Sequence, residues 1–174
     1  MRPLSATSPA TANERRGALV DIALSAAEHR SALRLLVDSY ASHVDHGDVE
    51  AVAALFSEDG RLIAHFHTAQ DGSPTVRTGR ADILAALVEG LRPYKRTTHV
   101  VGGHVVDLDG ERATGETTCL AHHVYDRRGQ SRLLILAVRY EDDYVWRDGV
   151  WQFAQRQLHL DWRDDRPLDE PASS

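Results

Sequence analysis

Ten histidines stand in this 174-residue chain. Eight fall in close pairs: His43 and His46, His65 and His67, His99 and His104, His122 and His123. An imidazole titrates near neutrality and also ligates metals, so this excess points to proton transfer or to metal binding. Lysine-based covalent chemistry has one candidate, Lys95, since every other basic residue is arginine. Cys119 is the sole cysteine, which excludes an internal disulfide framework and a Cys-rich zinc site. With no charged activator in view, a small buried thiol is its simplest reading.

The metal reading rests on His65-Phe66-His67, because His-x-His on a strand sets both rings on one face. Such a site also needs an acid shortly afterwards and a distant third histidine. Asp71 instead falls in the loop Gln70-Asp71-Gly72-Ser73-Pro74. Neither a metal nor a cofactor is therefore expected. Acid–base candidates lie elsewhere. Asp45, about 40° around a helix from Ala41, sits at the edge of an apolar face and can tilt inward or cap the helix. His99 shares a strand face with Val101. Arg139 and Arg156 fall on strands, where a solvated or ion-paired side chain is the simplest expectation.

The elements that must position these groups follow from periodicity. Leu33, Leu36, Val37, Tyr40, Ala41 and Val44 keep helical spacing from about Glu28 to Asp45, and Gly47 closes the helix. Asp48 is the N-cap expected for a second helix, Val49 to Phe56. Glu58-Asp59-Gly60 reads as a turn, with strands over Arg61–His67 and Thr75–Gly79 beyond it. A third helix, Ala81 to Leu91, ends before Pro93. Four long strands follow: Thr97–Leu108 with a bulge at Gly102-Gly103, Arg112–Tyr125, Ser131–Val145 and Val150–Trp162. The fold class is α+β, in the order α-α-β-β-α-β-β-β-β: a cone-shaped barrel in which a curved antiparallel sheet wraps three helices around an apolar pocket. Residues 1–17 and 164–174 read as disordered and flexible tails around a single domain, 18–163.

With Glu116 facing water, strict alternation sends Cys119, Ala121, His123 and Tyr125 into the cone. Trp151, Phe153, Gln155, Gln157 and His159 share a face of the last strand. Trp151 and Phe153 are most simply core, while Gln155 or Gln157 can floor the pocket. Leu120, Val124, Leu134, Leu136 and Val138 are expected on the outer face. The net charge of −6 argues against nucleic acid. No apolar run approaches the roughly 20 residues of a membrane span, and no secretory signal is evident at the N-terminus. A cytoplasmic protein is expected.

Several spacings occur together in order: Tyr40-x4-Asp45-x-Gly47-Asp48-x6-Leu55-Phe56-x2-Asp59-Gly60, then Thr97-Thr98-His99, Asp109-Gly110-x2-Ala113 and Arg147-Asp148-Gly149-x-Trp151-x-Phe153. Over residues 28–162 the chain thus resembles SnoaL-like proteins of the nuclear transport factor 2-like superfamily, whose fold is the cystatin-like cone. The resemblance implies an Asp45–His99 dyad in which the carboxylate holds one imidazole nitrogen and the other removes a substrate proton. It also implies Tyr40 as a hydrogen-bond donor, a pocket contact from the strand carrying Phe66, and dimerisation through the outer sheet face. Further ligand-contact candidates are His123, Cys119, Trp151, Phe153 and Gln155. The function this implies is a cofactor-independent lyase, isomerase or cyclase for an apolar polyketide-, steroid- or terpenoid-like molecule. A noncatalytic binding or dimerising module and an epoxide hydrolase are the alternatives; the Asp–Arg–Asp set of the last is not placed here.

Overall fold

Tight turns fix the registers of the sheet. In the computed structural model, the backbone is described for residues 12–68 and 73–169, and side chains for 25–66 and 73–169. Strands β3 (Arg96–Asp109), β4 (Arg112–Arg127), β5 (Gln130–Arg147) and β6 (Val150–Pro167) form a meander. Two-residue loops join β4 to β5 and β5 to β6. In the second, Asp148 and Gly149 have φ of 52° and 80°, the left-handed pair that matches strand twist. β1 (Phe56–Thr68) and β2 (Pro74–Thr78) complete one sheet of six strands in the order β2-β1-β6-β5-β4-β3.

This is the expected α+β cone with three refinements. The sheet does not close, so β2 and β3 remain edges. β1 runs parallel to β6, because the chain re-enters β6 only after a long crossover; every other pair is antiparallel. Glu58-Asp59-Gly60, expected as a turn, lies inside β1 at a register shift between Phe56 and Arg61. A Cβ at Gly60 would lie 2.9 Å from the Phe56 Cβ, so the chain's close approach to itself requires glycine there.

Helix α1 (Ala12–His46) begins inside the segment expected as a tail, in an Ala-, Arg- and Leu-rich run of good helix formers. Residues 1–11 of that expected tail lie outside the described residues. The buried face of α1, Leu33, Leu36, Val37, Tyr40, Ala41 and Val44, is the one its spacing predicts. Asp48 caps α2 (Val49–Ala54) by accepting from the Ala51 N–H at 3.2 Å. Together with α3 (Arg80–Leu91), these helices pack Val52, Ile83 and Leu87 against Phe56, Tyr144 and Phe153 of the sheet. At the far end, the Trp151 indole donates to His29 Nδ1 at 3.1 Å, pinning α1 to the β5–β6 hairpin. β6 runs on to Pro167 because Arg132 to Ile135 of β5 still pair with it, so the expected C-terminal tail starts too early.

Two alternations need correction. Directly paired residues share a face, and Leu134, Leu136 and Val138 lie opposite His123, Ala121 and Cys119. They therefore face inward; Leu133 and Ile135 take the outer face with Val124 and Leu120. On β6, Phe153 pairs with Tyr144 but Gln155 with Asp143, so Ala154 is an extra residue. That bulge turns Gln155 and Gln157 outward and Arg156 and Leu158 inward. The bulge expected at Gly102-Gly103 is present, with Gly103 N–H donating to Thr118 Oγ1. Among the described residues, no helix is long and apolar enough to cross a membrane.

Candidate active site

The last turn of α1 delivers Asp45 to the start of β3, where three donors converge on its carboxylate. Oδ1 accepts from His99 Nδ1 at 2.6 Å and from Thr97 Oγ1 at 2.9 Å, while Oδ2 accepts from the His99 backbone N–H at 2.7 Å. Burial works to raise the Asp45 pKa, but the hydrogen bonds from His99 and Thr97 outweigh it and hold the carboxyl below the ordinary aspartate value. An ionised carboxylate only accepts, so a hydrogen sits on Nδ1, and in the neutral ring it is Nε2 that carries the lone pair. The His99 side chain is 7% exposed. Its ring forms part of the wall of a cavity of about 380 Å³, a volume suited to a small molecule.

The wall is mostly apolar, with Val44 from α1, Leu62 and Phe66 from β1, Leu87 from α3, and Leu136 and Val138 from β5. Among these stand a few polar groups. Tyr40 and Tyr140 line the cavity with ring centroids 6.1 Å apart. Burial pushes both phenols above the usual tyrosine pKa, so each keeps its proton and can donate. His123 also lines it, its ring 5.8 Å from that of His99 and 4.4 Å from Tyr94. Burial, reinforced by nearby His99, pushes the His123 pKa down to about 4. His123 is thus a neutral imidazole at pH 7, unsuited to carrying a charge but able to hydrogen-bond.

Arg156 is the group that sequence reasoning underrated. It is fully buried, and its guanidinium lies 4.3 Å from the ring centroids of both Tyr40 and Tyr140 and 4.1 Å from Phe153. Nε and Nη2 donate to the two Asp142 oxygens, each at 2.8 Å. The Tyr144 hydroxyl donates to the same carboxylate at 2.9 Å, and His104 Nε2 lies 3.2 Å from that hydroxyl. A fixed positive charge thus stands directly behind the two phenols. It was expected to be solvated or paired, and it is paired; its inward aim depends on the Ala154 bulge, which strict alternation hides.

Of the expected site residues, the fold brings together Asp45, His99, Tyr40, His123 and Phe66. Four others do not reach the cavity. Cys119 packs beside Val138 and Tyr140 behind the wall, where burial pushes its thiol up to about 11. Phe153 is core, tilted against Phe56 and Tyr144. Trp151 lies at the opposite end beside His29 and Trp146. Gln155, turned outward by the bulge, hydrogen-bonds Arg61 and Asp143. His65 is also on the outer face, stacked on His159 at 4.1 Å and bonded to Gln157 Oε1 at 3.1 Å. The side chain of His67 and the whole of Asp71 lie outside the described residues. Among the described residues, no three His, Cys, Asp or Glu side chains converge as a metal set would.

The cone is shared with several solved structures. A hexachlorocyclohexane dehydrochlorinase, LinA-type3 from Novosphingobium barchaimii LL02, superposes with a TM-score of 0.69 at 18% identity, over 83% of this chain and 93% of that one. The Kfla4162 protein from Kribbella flavida gives 0.69 at 22% identity, over 80% and 95%. An NTF2-like protein with a cystatin-like fold from Novosphingobium aromaticivorans gives 0.62 at 24%, over 81% and 87%. At these identities the likeness concerns the fold alone. No curated protein sequence matches significantly. The SnoaL-like domain model, however, matches residues 25–157, nearly the whole cone and every residue of the site just described. The chain therefore belongs to the SnoaL-like domain family.

Proposed function

We propose that this protein is a cofactor-independent lyase, isomerase or cyclase of the cytoplasm that moves a proton on a largely apolar small molecule, of polyketide-, steroid- or terpenoid-like character. The observation that carries this reading is the 2.6 Å Asp45–His99 contact at the wall of an apolar cavity. His99 Nε2 takes a proton from a carbon made acidic by a neighbouring carbonyl or leaving group. Asp45 holds the tautomer and stabilises the imidazolium that forms, an arrangement general to base-plus-orienter pairs. Tyr40 donates to the oxygen or leaving group on which charge gathers. Arg156, behind it, favours negative charge at that point. The dehydrochlorinase that shares this fold is compatible with such proton removal.

Epoxide opening by an Asp–Arg–Asp set finds less support, because Arg156 pairs with one carboxylate, Asp142, and that side chain is fully buried. A binding module without catalysis would need the same cavity but not the dyad. Proton exchange separates them without the native substrate: 2-tetralone in D2O, followed by NMR at its acidic C1 position. The wild type should accelerate exchange, and His99→Gln should lower that acceleration by about 10²–10⁴-fold. Binding of the ketone with no accelerated exchange would make the protein a binder and not an enzyme.

A further inference from the structure

The cavity mouth is charged in a way that its apolar interior does not require. Arg77 and Glu89 are the two side chains of the lining, histidines aside, that carry charge at pH 7. Both are exposed at the rim. The Glu89 carboxylate is engaged by Arg92 Nη2 at 2.7 Å. The Arg77 side chain has no hydrogen bond or ion pair among the described residues. Its placement follows from register: on β2, Thr75 and Arg77 pair with Ala64 and Leu62 of β1, and all four line the cavity. A chain with net charge −6 thus places at the entrance to its apolar cavity a guanidinium that no described side chain engages. A guanidinium presents a planar fork of donors that matches a carboxylate and gives the strongest charge-assisted hydrogen bonds.

We propose that Arg77 anchors an oxyanion, a carboxylate in the simplest case, on an otherwise apolar ligand whose body fills the cavity. This rests on the small-molecule reading above and narrows it to hydrophobic acids. The ligand is held by its charged end at the rim, with its apolar part against Leu62 and Phe66 and within reach of His99. An anchor of this kind sets which end of the ligand enters first, and so which carbon meets the base.

The test uses two ligands of one shape, naphthalene-2-carboxylate and naphthalene-2-carboxamide, titrated into the full-length protein at pH 7 and followed by NMR. The wild type should bind the acid about tenfold more tightly than the amide. Arg77→Gln should remove that preference while leaving amide affinity within about twofold, and Arg77→Lys should restore part of it. Ala64→Phe, which fills the cavity, should abolish binding of both. Equal affinity for acid and amide, or acid binding unchanged in Arg77→Gln, would overturn the anchor while leaving the cavity reading standing. Failure of both ligands to bind, or binding that survives Ala64→Phe, would overturn the cavity reading and the anchor with it.

Discussion

His99 and His123 lie within one cavity, yet their surroundings assign them different work. His99 has a carboxylate on one nitrogen, and His123 has burial and a histidine neighbour, which keep it neutral. A histidine whose pKa falls on folding has a definite consequence for stability. Above pH 6.5 His123 is neutral in both states and contributes nothing to pH dependence. Between 6.5 and about 4 the unfolded chain takes up a proton that the folded one refuses, so stability falls as pH drops through that window. The loss saturates near pH 4, at about 3 kcal/mol. Urea titrations at pH 7, 5.5 and 4.5 should therefore show a shallower acid slope for His123→Asn than for the wild type; equal slopes would mean that His123 is not held neutral. Asp45 acts in another window. Its lowered pKa contributes stability that is present above the unfolded value of 3.8 and is lost only as pH falls below it.

At the scale of elements, the site depends on where strands depart from regular pleating. The dyad needed only a helix end and a strand start, which the helical spacing before Gly47 and the strand from Thr97 mark; the pairing of Asp45 with His99 itself was implied by the family resemblance. His123 was readable from alternation, because β4 pairs with β5 without a register shift; Phe66 came from the resemblance, since β1 shifts register between Phe56 and Arg61 and again between Ala64 and Thr68. Gln155 and Arg156 were not readable, since one extra residue at Ala154 exchanges their faces and nothing in the local sequence marks it. Leu134, Leu136 and Val138 were misplaced because a face was assigned to β5 without its pairing partners. The bulge matters energetically as well as geometrically. Arg156→Leu would leave Asp142 buried without its cation and should cost about 3–5 kcal/mol, whereas Arg156→Leu with Asp142→Leu should cost less than the single change. Denaturant midpoints of the two variants settle the order; a double variant weaker than Arg156→Leu would show that the pair itself holds the sheet together.

For the whole molecule, the outer sheet face presents an apolar row across four strands. Val100, Leu120, Ala137 and Trp162 are directly paired neighbours, and Val100 and Trp162 are each 53% exposed. We infer that a second copy of the chain covers this row. Sedimentation should then show a dimer for the wild type and a monomer for Leu120→Glu combined with Trp162→Glu; a wild type monomeric at tens of micromolar would refute the pairing. The cavity opens on the other side of the sheet, so the monomeric variant should retain its chemistry. The chemistry proposed for it is proton removal by His99 under the hold of Asp45. The most direct measurement is the rate of deuterium uptake by 2-tetralone with wild-type, His99→Gln and Asp45→Asn proteins at equal concentration and verified folding. The wild type should accelerate exchange, and each substitution should reduce the acceleration by at least about 10²-fold. Equal rates in all three proteins would contradict the dyad and the function drawn from it.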